Sequence, residues 1–463
     1  MTAILCVVAL AGLVLAADLA TPEGGGRGVG GLVSAGLIAI LVATFWLPAG
    51  PVFPGFADDA FTAFLHRVLL AAGALGALGS VDHADRRFPK RVGEYYLLLL
   101  SSLVGMMLVA GARELVLLVV AFELMGIPLY ALAAAHKTSA AGAEGATKMY
   151  LTGAVSAAVT MYGLSFVVGL AGGTMFADVA ALAPSPLLGF GALLMLAGMA
   201  YKLGAVPFHL WVPDTYASAP APFVAFLSVA PKAAAIAAVA RLAHEALPVA
   251  TWATPLLVVC GVTMVAGNLM AVQQTNVRRL LAFSGVAHIG LLLLALAVGT
   301  AEGLGVLLFY LPAYVAANMG AFLVTETVGD DLPRWRGLAR TRPALALAML
   351  LFLLSLAGIP FVAGFWAKVF VLWAAWQAGQ PWLVLLAALL AVLALFYYLK
   401  VARGIYMEPP NGEAPAMPGR PTAAAIALAL AGIVILGLWP RPVFDAAMEA
   451  GRVLVPSVAS AGP

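Results

Sequence analysis

Charge interrupts this chain so rarely that it divides into fourteen apolar runs, each long enough to cross a bilayer as a helix. Crossing the hydrocarbon core takes roughly 20 apolar residues at about 1.5 Å each. A closed barrel would instead show alternating segments of about ten residues. Cutting at clusters of Pro, Gly and charge places the runs near 2–19, 29–49, 60–80, 95–112, 115–134, 147–171, 186–210, 218–242, 250–272, 279–299, 303–326, 343–376, 382–402 and 422–439. They are continuous and rich in Leu, Ala, Val and Gly, so the expected fold is an all-α membrane protein of about 14 transmembrane helices. Only 10% of the 463 residues are charged, against about 25% in soluble domains.

The first run resembles a secretory signal peptide but lacks its basic leading segment, so it reads as a retained span. Cys6 and Cys260 lie far apart in apolar runs, without C-x-x-C spacing, and read as packing residues.

Lys and Arg fall unevenly between the runs. The odd-numbered connections hold fifteen, at Arg27, Arg86, Arg87, Lys90, Arg91, Lys137, Arg278, Arg279, Arg334, Arg336, Arg340, Arg342, Lys400, Arg403 and Arg420. The even-numbered connections hold only Arg113 and Arg241, with Arg67 inside the third run. Positive residues collect on the cytoplasmic side, so the odd connections are expected there and both termini outside. The net charge of +3 is mostly this asymmetry and implies no nucleic-acid partner.

Four lysines remain inside runs: Lys148, Lys202, Lys232 and Lys368. A charged side chain at the bilayer centre costs roughly 2.5–3.5 kcal/mol on insertion scales, and lysine escapes only near a helix end. Lys148 opens the sixth run and could reach the interface; Lys232 and Lys368 are far from any end. Glu123, in "VVAFELMGIPLY", lies about nine residues into the fifth run, and His288 near the middle of the tenth. A lone membrane histidine can be a packing residue, and a Glu–Lys pair can merely order helices. Four lysines cannot all be paired with one glutamate. A lysine without a compensating charge in low dielectric gives up its proton more readily, so these groups suit a proton or cation path. Glu123 approaching or leaving Lys202 would make that pair a switch.

Gly204 and Pro207 interrupt the seventh run, and Gly358 and Pro360 the twelfth. Broken membrane helices persist where the freed backbone is buried in protein or lines a wet cavity. In transporters such segments recur at matching positions of two repeats. Runs seven and twelve are five apart, an odd number, so the repeats are expected to be inverted, as helices 4–8 (95–242) and 9–13 (250–402). Helices 1–3 (1–94) would precede them and helix 14 (422–440) follow. With these boundaries Lys202 leans toward the inner face and Lys368 toward the outer one. His209, just past the break, is a candidate inlet residue for protons, or a capping or packing residue. "GRGVGG" at 26–31 fits a dinucleotide fingerprint, but no strand precedes it. No run of His, Asp, Glu or Cys has metal-ligand spacing.

These residues closely resemble the antiporter-like membrane subunits of proton-translocating NADH-quinone oxidoreductase, respiratory complex I, from about residue 90 to 405. The most specific stretch is "YKLGAVPFHLWVPDTYASAPAPFVAFLSVAPKAAAIAAVARL", supported by "RRLLAFSGVAHIG", "AANMGAF" and "LSLAGIPFVAGFWAK". "SVAPK" points to the subunit N branch, and the short tail after residue 440 fits it. The resemblance implies a coupling pair at Glu123 and Lys202, a central relay at Lys232, an exit group at Lys368, and secondary groups at Lys148 and His288. It implies no cofactor in this chain, since NADH, flavin, iron–sulfur clusters and quinone would belong to the rest of the complex. The implied partners are its other membrane subunits, including the sister antiporter-like ones, in a bacterial inner membrane. The chain departs from the family at Phe361, usually a second proline, and at Leu291, often a tyrosine; both touch only the bend and hydration of the exit path. A multisubunit cation/proton antiporter, an inorganic-carbon uptake system and a membrane-bound hydrogenase-type complex are the alternatives, and neighbouring genes would separate them.

Overall fold

The computed structural model describes residues 1–20, 26–47, 53–88, 91–135 and 139–455. Lys90 and Lys137, counted in the charge asymmetry, lie outside the described residues, as do 48–49 of the second run.

Among the described residues, thirteen helices are long and apolar enough to cross a membrane. Spans one to six are Thr2–Ala20, Gly26–Ala43, Ala60–Arg87, Val92–Gly111, Leu115–Ala133 and Ala140–Ala171. Span seven is Pro186–Leu203 followed, after a break, by Trp211–Ser218. Span eight is Ala221–Leu227 and Ala230–Arg241, closed by a π-helical turn at Leu242–Ala246. Spans nine to eleven are Val249–Val272, Val277–Ala297 and Ala301–Val328. Two shorter apolar helices, Pro343–Ala357 and Ala363–Gln377, together form span twelve, giving fourteen crossings. Pro381–Met407 and Arg420–Leu438 are spans thirteen and fourteen, and an amphipathic helix, Arg441–Leu454, follows.

Local chemistry marks the ends. Asp59, Ser139, Ser185, Asn276 and Thr300 accept hydrogen bonds from backbone amides in the first turns of spans three, six, seven, ten and eleven. Proline opens the first helices of spans seven and twelve, and span thirteen, where its missing N–H costs nothing.

Among the described residues, ion pairs and hydrogen bonds between connections join connections of like parity. Arg27 reaches Asp85, Arg278 pairs with Asp330, Arg336 with Glu408, and Lys400 donates to the Gln274 carbonyl. On the opposite face Arg241 pairs with Asp59, and Arg113 with Glu245. Every span therefore crosses the bundle, and the basic connections share one face. Span eight is buried along its whole length and spans ten and eleven nearly so, whereas spans six and thirteen leave most of their surface exposed. The three buried spans carry Lys232 and His288 at the centre of the molecule.

The sequence boundaries need two corrections. Span seven continues to Ser218, because "WVPDTYAS" is helical and not a connection. Lys202 is then sixteen residues from Pro186 and sixteen from Ser218, so it is central and does not lean toward the basic face. Lys368 keeps its lean, nine residues from the end of Ala363–Gln377. Span eight, expected to be continuous, is broken at Ser228 and Val229, because Pro231 at the start of its second helix lacks an amide for the helix before it. His66, overlooked among the deep ionisable groups, is a buried histidine of span three whose Nε2 lies 2.9 Å from the Met107 carbonyl oxygen.

Candidate functional site: a line of buried ionisable groups

Lys202 is the last residue but one of Pro186–Leu203, which ends inside the protein at Gly204 with a left-handed φ of 70°. That conformation suits glycine. The chain turns back through Gly204 N–H to the Tyr201 carbonyl and Ala205 N–H to the Ala200 carbonyl, which satisfies carbonyls that a helix end leaves open. Trp211 Nε1 donates to the Tyr201 carbonyl at 3.2 Å, and Val206 N–H to Thr263 Oγ1 at 3.1 Å. Pro207 lies within this satisfied break, three residues past the glycine, after a cis peptide bond. The helix therefore stops at Gly204, not at the proline.

Lys202 thus sits at a helix carboxyl end, where the macrodipole favours a cation. Its Nζ is 3.6 Å from Glu123 Oε1 and donates to Tyr130 Oη at 3.3 Å, both on span five. The lysine is 9% exposed and the glutamate 28%, so the ammonium is the more completely removed from solvent. A cavity of about 10 Å³, bordered by Glu123, Lys202 and Thr160, lies beside them, close to the space one water needs.

Lys232 is the third residue of Ala230–Arg241 and is 2% exposed. Its Cε lies 4.0 Å from where a Cβ would stand on Gly204, so Lys232 packs against the break that ends the Lys202 helix. Its Nζ stands 5.6 Å from the Tyr216 ring centre, within cation–π range.

His288 is held between tyrosines, Nδ1 2.5 Å from Tyr310 Oη and Nε2 3.3 Å from Tyr398 Oη, with Ser284 bonded to the same Tyr398 hydroxyl. Lys368 Nζ donates to the Ala357 carbonyl at 3.0 Å. Ala357 ends the first helix of span twelve, which Gly358 caps with φ 87°. In spans seven and twelve a lysine thus stands beside the carboxyl end of an interrupted helix. His288 and Lys368 border one cavity of about 20 Å³ with Asn268 and Tyr397, which are hydrogen-bonded at 3.1 Å.

Pro360 lies in the second break, and Phe361 after it has φ 76°. A proline, fixed near −65°, could not occupy this backbone. Left-handed backbone costs an ordinary residue roughly 1–2 kcal/mol. Phe361 is 79% exposed, so little packing offsets that cost. Phe361→Gly is expected to raise the thermal midpoint of the purified protein, by about 1 kcal/mol of stability; an unchanged or lower midpoint would show that the ring contributes more than the strain.

Lys148 and His209 stand apart from this line. Lys148, nine residues into Ala140–Ala171, is half-exposed and paired with Glu144 at 2.6 Å and Asp214 at 2.7 Å, and Asp214 also binds Arg279. His209 is buried, and neither ring nitrogen has a hydrogen-bond partner among the described residues. Sequence reasoning missed Asp214 because it lay in a presumed connection. It missed Tyr130, Tyr310, Tyr314 and Tyr398 because a neutral hydroxyl makes no anomaly in an apolar run.

Residues 112–394 match the family model described as NADH:quinone oxidoreductase/Mrp antiporter, transmembrane region. The chain belongs to this family. Glu123, Lys148, Lys202, His209, Lys232, His288 and Lys368 all lie within the matched region. The chain is similar, at 39% identity over 94% of each chain, to NADH-quinone oxidoreductase subunit N of Moorella thermoacetica. It is similar in structure to a chain of respiratory complex I from Thermus thermophilus with bound aureothin, at 32% identity and TM-score 0.83, over 96% of this chain and 98% of that one. A chain of the Mrp complex from Dietzia sp. shares the fold, with TM-score 0.87 at 22% identity over 98% and 97%. The fold is thus shared with chains of different assemblies, at 32% identity to the complex I chain and 22% to the Mrp chain.

Proposed function

We propose that this chain is the proton-translocating membrane subunit, of the subunit N type, of an NADH-quinone oxidoreductase. Quinone reduction elsewhere in the complex drives protons from the cytoplasm to the outside. The observation that carries this reading is the line Glu123, Lys202, Lys232, His288, Lys368, with lysines at two interrupted helices and the central lysine between them. Protons enter near Lys202, pass Lys232 and His288, and leave at Lys368. Glu123 sets the charge balance of Lys202. Lys148 is a secondary group coupled through Asp214, and His209 a candidate at the inlet.

Two inverted five-helix repeats, spans four to eight and nine to thirteen, account for the likeness of the two breaks. The basic face is the cytoplasmic one of a bacterial inner membrane, with both termini outside. The chain carries no cofactor; NADH, flavin, iron–sulfur clusters and quinone are handled by partner subunits, among them the sister antiporter-like ones. The fold shared with the Mrp complex keeps a cation/proton antiporter subunit as the second reading, and genes for quinone oxidoreductase subunits beside this one would decide against it.

The test is Lys232→Ala in the complete complex, sealed in vesicles, with quinone reduction and proton uptake recorded together. Most of the uptake that depends on this subunit is expected to disappear. An unchanged proton-to-electron ratio with full activity removes Lys232 from the relay.

A further inference from the structure

The line of groups has a gap between Lys232 and His288. Both nitrogens of His288 face tyrosine hydroxyls, Tyr310 and Tyr398, and neither faces the lysine. Lys232 Nζ and Tyr314 Oη, each 2% exposed at the residue, have no hydrogen-bond partner among the described residues. Burying a hydroxyl or an ammonium without a partner costs several kcal/mol, so two such groups side by side imply a ligand between them.

Gly285 fixes their relation. A Cβ built on it would stand 2.9 Å from Tyr314 Oη and 3.2 Å from Lys232 Nζ. The two atoms are therefore no more than about 6 Å apart, and they lie beyond the roughly 3.5 Å of a direct hydrogen bond. A single water bridges polar atoms separated by up to about 5.6 Å. Tyr314 in turn packs on His288 with ring centres 5.2 Å apart, and Gly285 lies one helical turn before His288 on span ten. Four residues along span eleven, Asn318 donates Nδ2 to Ser228 Oγ at 2.8 Å, and Ser228 precedes Lys232 by one turn. This bond fixes span eleven against the break of span eight, so Tyr314 is held opposite the lysine.

We propose that Lys232, Tyr314 and the bare backbone of Gly285 form a site for one ordered water, which joins the central lysine to Tyr314, the tyrosine whose ring packs on His288. The water accepts a hydrogen bond from Lys232 Nζ and donates to Tyr314 Oη. Tyr314 holds the water and Gly285 keeps its place open, so Gly285 acts as a positioning residue. This deepens the relay reading and rests on it.

Four variants of the complete complex test the site in vesicles, each compared for assembly, quinone reduction and protons moved per electron. Lys232→Ala measures what the relay contributes. Gly285→Ala, which puts a methyl in the water's place, and Tyr314→Phe, which removes only one oxygen, are each expected to lose at least half of what Lys232→Ala loses. Gly285→Ser, which returns a hydroxyl to that place, is expected to regain part of it. If Lys232→Ala loses pumping while Gly285→Ala and Tyr314→Phe pump like the unaltered complex, the water site is overturned and the relay stands. Normal pumping by Lys232→Ala overturns the relay reading and the site with it. Should Gly285→Ala fail to assemble, Tyr314→Phe decides alone, since it leaves the packing volume nearly unchanged.

Discussion

Glu123→Gln is expected to slow the part of proton transport that depends on this subunit at least tenfold, while the protein still inserts and assembles. Glutamine keeps the shape of the side chain and its capacity to accept a hydrogen bond, so the loss reports charge. Without it the Lys202 ammonium, 9% exposed, faces only the Tyr130 hydroxyl at 3.3 Å and the end of its own helix. Removing one member of a buried pair costs roughly 3–5 kcal/mol. Glu123 is 28% exposed and water offsets part of this, leaving on the order of 2 kcal/mol, or about thirtyfold. Glu123→Asp, one methylene shorter, should fall between the two. The measurement is the initial rate of vesicle acidification at a fixed rate of quinone reduction. Wild-type acidification by Glu123→Gln would mean that the pair only orders spans five and seven.

Arg241→Ala is expected to do something different: to cost about 3–5 kcal/mol of stability and prevent accumulation of the protein. Arg241 is fully buried at the face opposite the basic one. It donates to Asp59 Oδ1 at 2.7 Å, Glu245 Oε1 at 2.9 Å, Thr62 Oγ1 at 2.6 Å and the Ala110 carbonyl at 2.7 Å. It ties the start of span three, the end of span four and the π-helical turn after span eight, and alanine would leave all of these acceptors without it. Arg241→Lys keeps the charge but not the planar fork and should recover only part of the loss. Yield of intact complex and its thermal midpoint are the readouts, and a full yield at an unchanged midpoint would refute the assignment.

The same cluster sets an acid limit. Burial alone would raise the Asp59 carboxyl, but the charge and hydrogen bond of Arg241, with the bond from the Thr62 amide, outweigh it and hold the group below its usual value. A carboxyl depressed in the folded state adds stability that is complete above its unfolded value, about 3.9, and lost as pH falls through the folded one. The thermal midpoint should therefore be insensitive to this group near neutrality and drop only below about pH 4. Asp59→Asn should remove that part of the acid dependence.

Most of the architecture was legible because a bilayer leaves a chain few options. Fourteen crossings, their parity and the interrupted spans followed from apolar length, charge asymmetry and Gly–Pro placement. The break in span eight and the helix at 211–218 were not legible, because "SVAPK" and "WVPDTYAS" are compatible with either a helix or a connection until neighbours pack on them. The deep charges stood out for an energetic reason: each of Glu123, Lys202, Lys232 and Lys368 is expensive in hydrocarbon, so its presence alone signals a compensating environment.

What that environment consists of was decided by the tertiary fold. Sequence determined that Lys202 and Lys368 flank helix interruptions; only packing brought Lys202 to 3.6 Å from Glu123, set Lys232 against Gly204, and turned the Lys368 amine back onto the Ala357 carbonyl. Lys148 shows the converse, an apparently costly lysine made ordinary by Asp214 from another helix. The tyrosine hydroxyls around His288 and the gap at Gly285 left no trace in hydropathy, because neutral polar atoms cost little in sequence terms and acquire meaning only when burial removes their water. The cost of burying a charge belongs to the residue and can be read along the chain, whereas the partner that offsets it comes from elsewhere in the fold.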